Sequence, residues 1–368
     1  MTFLLGAGSI RIDVTVTQAL ASSVEVRVSR AQGLTRMFIG RRPEEAPVLA
    51  GQVFSLCGFS QSVAARLAIL NAANLPMPAE GRSAAMAGLL AERIFETLRA
   101  LILHWPSLLA GAVAEAGQYL RRALTASQAI IDDAKAMRTD HISLTANTRR
   151  LGAAAARLGI PEDDGLSRDG TACAAIFRDI EDDRTFKGRP PDPLTAGDDA
   201  EVIAHLCRDA GYSILPHLAG RVAETGAYAR LCGASGSDGP HLAQRFMARM
   251  RDVRLCLMQL QHLAKGQNDP PELMAGGPTP GTGGFGAVEC ARGRLYHQAE
   301  IGVDGKLCAY RILAPTEWNF HPAGPFVETL LSSRIGAGES AARSVSRLAV
   351  LFDPCVGFKL GIRDVAHA

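Results

Sequence analysis

The sequence predicts an α+β fold, mainly helical, with small antiparallel sheets built from both chain ends, and three observations carry that expectation. Apolar and polar residues alternate with period two only in the first forty residues and again after residue 290. Between these regions apolar side chains recur at three- and four-residue steps, the spacing of helices. Short breaks rich in Pro and Gly separate the segments, without internal repeats or low-complexity tracts. The predicted organisation is one interdependent domain over 1–368. It has N-terminal strands in 1–50, a helical region in 61–265, and a C-terminal hairpin and motif region in 285–368, so the ends should meet in space.

Ile10, Ile12, Val14 and Val16 alternate with Arg11, Asp13, Thr15 and Thr17, and Val24, Val26 and Val28 alternate with Glu25, Arg27 and Ser29. That is the signature of half-buried antiparallel strands. Beyond Cys57, the series Met86, Leu90, Ile94, Leu98 and Leu101 predicts an amphipathic helix ending near Pro106. Further helices are expected from about Leu108 to Ala136 and from His241 to Leu263. Gly188–Gly197 and Gly266–Gly286 read as breaks. Leu295–Ile301 and Leu307–Ile312 read as strands joined across Asp304-Gly305, a strong hairpin signal.

Composition narrows the function. Thirty-nine basic and 37 acidic residues leave a formal charge of +2, which provides no footprint for nucleic acid or an anionic membrane. Apolar runs are short and interrupted by charge, as by Glu92, Arg93, Glu96 and Arg99, so no membrane span is expected. The opening residues lack the basic and apolar regions of a signal peptide. Cytoplasmic placement, with all eight cysteines reduced, is therefore expected. No CxxC pair occurs, so any metal must be held by residues distant in sequence.

Four segments carry chemistry. Cys57 stands where the strand pattern gives way to a helix, and the amides of a helix start are expected to lower its pKa. Cys355 follows Pro354, which presents it from a turn. Arg292 lies in Glu289-Cys290-Ala291-Arg292-Gly293, and Thr316 in Pro315-Thr316-Glu317-Trp318-Asn319. Taken alone, each cysteine reads as a small buried hydrophobe. Arg292 alone reads as half of a salt bridge, and Trp318 as a cover for the core in a turn.

In this order, however, the segments resemble the nickel-iron hydrogenase large-subunit family. That family has a Gly-Arg-x-Pro-x-x-Ala-Pro segment, to which Gly40-Arg41-Arg42-Pro43-Glu44-Glu45-Ala46-Pro47 is similar. Its first metal motif matches at Cys57. Its Gly-Pro-Leu-Ala-Arg element is similar to Glu224–Arg230, its Glu-Ala-Pro-Arg-Gly to Glu289–Gly293, its Pro-(Ser/Thr)-Thr-Trp-Asn to Pro315–Asn319, and its closing Asp-Pro-Cys to Asp353–Cys355. The resemblance spans nearly the whole chain and is weakest from about 125 to 220.

The departures set the expected function. Where the family places its second cysteines, this chain has Ser60 and Phe358. Ala64 and Gly361 replace the motif histidines, Ser55 the leading arginine, and the acidic proton gate aligns near Ala7. Two thiolates cannot rebuild a four-thiolate nickel-iron site, so hydrogen cleavage is not expected. The resemblance implies instead that Cys57 and Cys355 hold iron transiently as Fe(CN)2(CO), without nickel. Arg292 and Thr316 would serve as hydrogen-bond donors to the cyanides. Such partial retention is similar to the hydrogenase expression/formation proteins of the HupK/HoxV type. It implies as partners the nickel-iron hydrogenase large subunit and the maturation proteins of an iron-cyanide assembly complex. Only Ile362–Ala368 follow Gly361 and no histidine marks a cut, so no C-terminal processing is expected; His367 reads as solvated. Two alternatives stay open: a purely structural or interaction protein that has lost its metal, and an enzyme with a mononuclear site.

Overall fold

The computed structural model describes residues 8–29, 33–54, 56–108, 110–161, 169–187, 190–209, 211–232, 241–267, 273–331 and 333–365. β1 (Ser9–Thr17) and β2 (Leu20–Ser29) pair antiparallel, burying Ile10, Ile12, Val14 and Val16. The strands stop at Ser29, short of the 1–50 expected for them. Residues 34–38 and 43–45 form tight helical turns, and α1 spans Ala46–Val53. Pro43 and Pro47 explain the change: without an N–H they cannot sustain a sheet ladder, but they fit a first helical turn.

The helical region comprises α2 (Gly58–Ala72), α3 (Ala79–His104), α4 (Ala110–Lys135), α5 (His141–Leu158), α6 (Ala172–Arg178), α7 (Asp199–Arg208), α8 (Ala227–Leu231) and α9 (His241–Ala264). The predicted stop near Pro106 and the span from His241 agree with α3 and α9. Asp140 caps α5 by accepting from the amides of Ile142 and Ser143. Among the described residues, no helix is long and apolar enough to cross a membrane.

A four-stranded antiparallel sheet follows, β3 (Met274–Thr279), β4 (Gly283–Cys290), β5 (Gly293–Ile301) and β6 (Leu307–Leu313), in sequence order. The predicted hairpin is β5–β6, with Gly305 at φ 73° in its turn. β3 and the first half of β4, residues 274–279 and 283–286, lie in the stretch Gly266–Gly286 read as a break. The chain then forms α10 (Pro315–Asn319), α11 (Pro325–Leu331), α12 (Gly338–Phe352) and β7 (Gly357–Asp364). Pro315–Asn319, read as a turn, is thus a short helix, and its Trp318 is fully buried. β7 pairs with β1 in parallel, so the two chain ends share the sheet β2-β1-β7, in which this one pairing departs from the antiparallel expectation. A single apolar cluster runs from Ile10 in β1 through α3, α4, α5 and α9 to Phe352 in α12.

The glycines that disguised β4 are what places it. A Cβ on Gly284 would meet the backbone of Ala68 and Ala72, and one on Gly286 would meet the Ala64 carbonyl and Leu67. Four-residue steps along α2 therefore lie directly on alternate residues of β4. The seam ties the helix that starts at Cys57 to the strand that ends beside Arg292. Gly286→Ala is expected to cost about 1–3 kcal/mol, because the overlap is with backbone that cannot rotate aside. Urea unfolding measures it, with Gly117→Ala as control, since that Cβ meets nothing closer than the tip of Arg121 at 3.6 Å. An unchanged midpoint in Gly286→Ala would remove the seam from the account.

Candidate metal centre

Cys57 is the N-cap residue of α2 and is 8% exposed. The expectation that helix amides lower its pKa is overturned. The Glu92 carboxylate, reaching over from α3, accepts from the amides of Phe59 (2.8 Å) and Ser60 (2.9 Å) and from the Ser60 hydroxyl. Those donors are already occupied, and burial pushes the Cys57 thiol well above its ordinary range. Burial also raises Glu92, while its hydrogen bonds from Ser60 and Phe59 act in the opposite direction.

Behind Cys57 runs a buried chain of donors. Gln61, one helical turn on, directs its side-chain amide at the Cys57 sulfur (3.6 Å). Its carbonyl lies 2.6 Å from His297 Nε2, and His297 Nδ1 lies 2.7 Å from the Tyr310 hydroxyl. Burial pushes His297 down to about 3, so the ring is neutral. A consistent polarity follows: Tyr310 donates to Nδ1, Nε2–H donates to Gln61, and Gln61 donates to sulfur.

Cys355 is presented by the end of α12. Asp353 closes that helix in the left-handed conformation (φ 50°), and Pro354 follows. Arg249 holds the corner, donating to the Val350 carbonyl (2.9 Å) and the Asp353 carboxylate (2.8 Å). Thr316, in the first turn of α10, donates its hydroxyl to the Cys355 sulfur (3.1 Å) and accepts from the Cys355 amide (3.2 Å). Its hydroxyl is thus directed at the sulfur rather than at an open site.

Arg292 occupies the tight turn between β4 and β5 and is 3% exposed. Its guanidinium donates to the carbonyl of Leu56 (3.3 Å), the residue before Cys57. It also reaches Glu96 on α3 (3.2 Å) and Asp353 (3.5 Å), two residues before Cys355. One side chain therefore bridges the two cysteine-bearing segments, which lie at opposite ends of the chain. Burial opposes its charge, but Asp353 and Glu96 more than offset this. Arg292 Nε is buried with no hydrogen-bond partner among the described residues.

The structure thus brings Cys57, Cys355, Arg292 and Thr316 into one neighbourhood. Sequence reading missed four other members: Glu92, Gln61, His297 and Cys290. Cys290, read as an ordinary hydrophobe, is 2% exposed, is raised to about 11 chiefly by burial, and acts electrostatically on Cys57. Its position two residues before Arg292 was the available signal. Among the described residues, no group of three or more His, Cys, Asp or Glu side chains is arranged to hold a metal.

The substituted positions have structural work. Ser60 binds Glu92, Ala64 packs beneath β4, Phe358 lies opposite Ile10, and Gly361 lies opposite Asp13, where a Cβ would overlap the carboxylate. Ala7, Ser55 and His367 lie outside the described residues.

No protein-family model matches the chain. Among solved structures it is similar to the nickel-iron-selenium hydrogenase of Desulfovibrio vulgaris Hildenborough, with a TM-score of 0.62 at 15% identity over 92% of this chain and 94% of that one. An NAD+-reducing nickel-iron hydrogenase gives 0.60 at 13%, over 92% and 93%. At such identity these likenesses establish the fold: this is a protein of the hydrogenase large-subunit fold. More specific relatives exist. The chain is 66% identical, over the full length of both, to the hydrogenase expression/formation protein HupK of Rhizobium leguminosarum bv. viciae. It is 30% identical to HoxV of Cupriavidus necator over 92% of this chain and 94% of that protein. The chain belongs to this HupK/HoxV family of hydrogenase expression/formation proteins, and a role in hydrogenase maturation goes with that membership.

Proposed function

We propose that the chain is a non-catalytic scaffold that receives an Fe(CN)2(CO) unit as cargo between Cys57 and Cys355. It then passes the unit to a nickel-iron hydrogenase large subunit, in the cytoplasm, alongside the proteins of an iron-cyanide assembly complex. The observation that carries this reading is Arg292: a buried cation bridging both cysteine-bearing segments, with one N–H left unused. A guanidinium suits the nitrogen of a bound cyanide, and thiolates are soft ligands for low-spin iron. Diatomic ligands fill most positions on such an iron, so two sulfurs suffice and nickel is not required. Thr316 positions the Cys355 sulfur, and Gln61 aims a donor at Cys57. Because burial favours the thiol form of Cys57, binding iron there releases a proton, and loading should weaken as pH falls.

Infrared spectra of anaerobically purified protein, made in cells with intact maturation machinery, test the proposal. Cyanide and carbonyl stretching bands are expected, and they should vanish in both Cys57→Ala and Cys355→Ala. Folded wild-type protein without those bands would overturn the scaffold in favour of a metal-free interaction role. Hydrogen-dependent dye reduction by the pure protein would overturn its non-catalytic character.

A further inference from the structure

We propose that the groove between α4 and α5 is a docking surface for an acidic, amphipathic helix of a partner protein. The groove encloses about 730 Å³, and Arg121, Arg122, Arg150 and Arg157 stand on its walls, with no acidic side chain among the described residues that line it. All four arginines are exposed, and none has an acidic partner among the described residues. Three of them, Arg122, Arg150 and Arg157, are nevertheless held in place. Arg150 donates to the Asn147 side-chain oxygen Oδ1 (3.1 Å) and Arg157 to the Tyr119 hydroxyl (2.6 Å), while Arg122 and Arg157 stack over the Tyr119 ring at 5.5 and 5.0 Å. Neutral groups thus fix the guanidiniums without cancelling their charge, which lowers the entropy lost when carboxylates bind. The concentration is local: α5 carries three arginines and no acid, in a chain whose formal charge is only +2.

Shape favours a helix over a small anion. The lining residues extend along about three turns of each helix, roughly 16 Å at about 1.5 Å per residue, so the cations are strung out rather than converging on one phosphate. The wall amides are used within the helices, and among the described residues no glycine-rich loop lines the groove. Between the arginines the floor consists of small residues, Ala126 and Ala154, which leave a trough for the side-chain ridge of another helix. A membrane fits poorly, because the surface is concave and lacks large aliphatic side chains to enter acyl chains.

A photocrosslinking amino acid placed at Ala153, on the exposed lip of the groove, tests this in cells carrying the hydrogenase genes. Crosslinks are expected to map to one acidic helical segment. A synthetic peptide of that segment should bind the purified full-length chain, at least about tenfold more weakly to Arg150→Glu/Arg157→Glu and more weakly in high salt. A peptide with its acidic residues changed to lysine should restore binding to the reversed variant, which excludes simple misfolding. The proposal is overturned by absent crosslinks, by crosslinks to segments without acidic excess, or by ATP or phosphatidylserine vesicles displacing the peptide. No metal enters the readout, so its failure is separable from failure of the iron scaffold.

Discussion

Arg292→Leu is expected to destabilise the protein by about 3 kcal/mol and to abolish the infrared bands of the cargo. Removing a buried guanidinium leaves the Glu96 and Asp353 carboxylates without one of their cations, a change that typically costs about 3–5 kcal/mol. The lower end applies because each carboxylate keeps a second partner: Arg99 for Glu96 at 3.0 Å, and Arg249 for Asp353 at 2.8 Å. Arg292→Lys separates the two roles. It keeps the charge, so the urea midpoint should move far less, yet a single ammonium nitrogen lacks the fork whose separate nitrogens reach Leu56 and Asp353 and leave Nε to face the cargo. The expected result is a folded protein that loses the bands. Undiminished bands in Arg292→Lys would remove the guanidinium from the cargo site, and a wild-type midpoint in Arg292→Leu would deny its structural weight.

Asp252→Asn is expected to cost about 4 kcal/mol. Asp252 lies on α9, is 1% exposed, and pairs with both Arg93 of α3 and Arg230 of α8. Arg230 keeps Glu289 at 2.7 Å, but Arg93 loses its charged partner inside the core. The same carboxylate predicts an acid limb. Burial alone would raise its pKa, but Arg230 and Arg93 overcome that and hold it at about 2, below its ordinary value of 3.8. A depressed carboxylate contributes stability that is fully present above its unfolded pKa. Here that contribution, about 2 kcal/mol, is lost as pH falls from about 4 through about 2. Stability measured across this window should slope downward in wild type, and the slope should flatten in Asp252→Asn. An equal slope in both would assign the acid limb to other carboxylates.

Much of the candidate site was legible because the motifs are local strings: Cys57, Arg292, Thr316 and Cys355 could each be picked out from their neighbours. Their surroundings were not. Gln61 and His297 are 236 residues apart, and Glu92 caps a helix 32 residues upstream of it. No local pattern signals such pairs, because their energy depends on which surfaces meet. The thiol pKa of Cys57 shows the difference most clearly. A helix start predicts a lowered value, yet the fold fills the helix end with Glu92 and buries the sulfur, and the shift goes the other way.

The sequence by itself determined the long helices α3, α4 and α9, the first strand pair, the Asp-Gly hairpin and the candidate residues, since short-range periodicity and turn chemistry act within a few residues. Only the tertiary structure decided that glycines 284 and 286 belong to a strand under α2. Only it joined β7 to β1 and aimed Thr316 at sulfur. The physical reason is that close backbone approach, sheet partnership and burial are properties of two surfaces in contact. A linear sequence specifies each surface but states neither their meeting nor what it does to the charges between them.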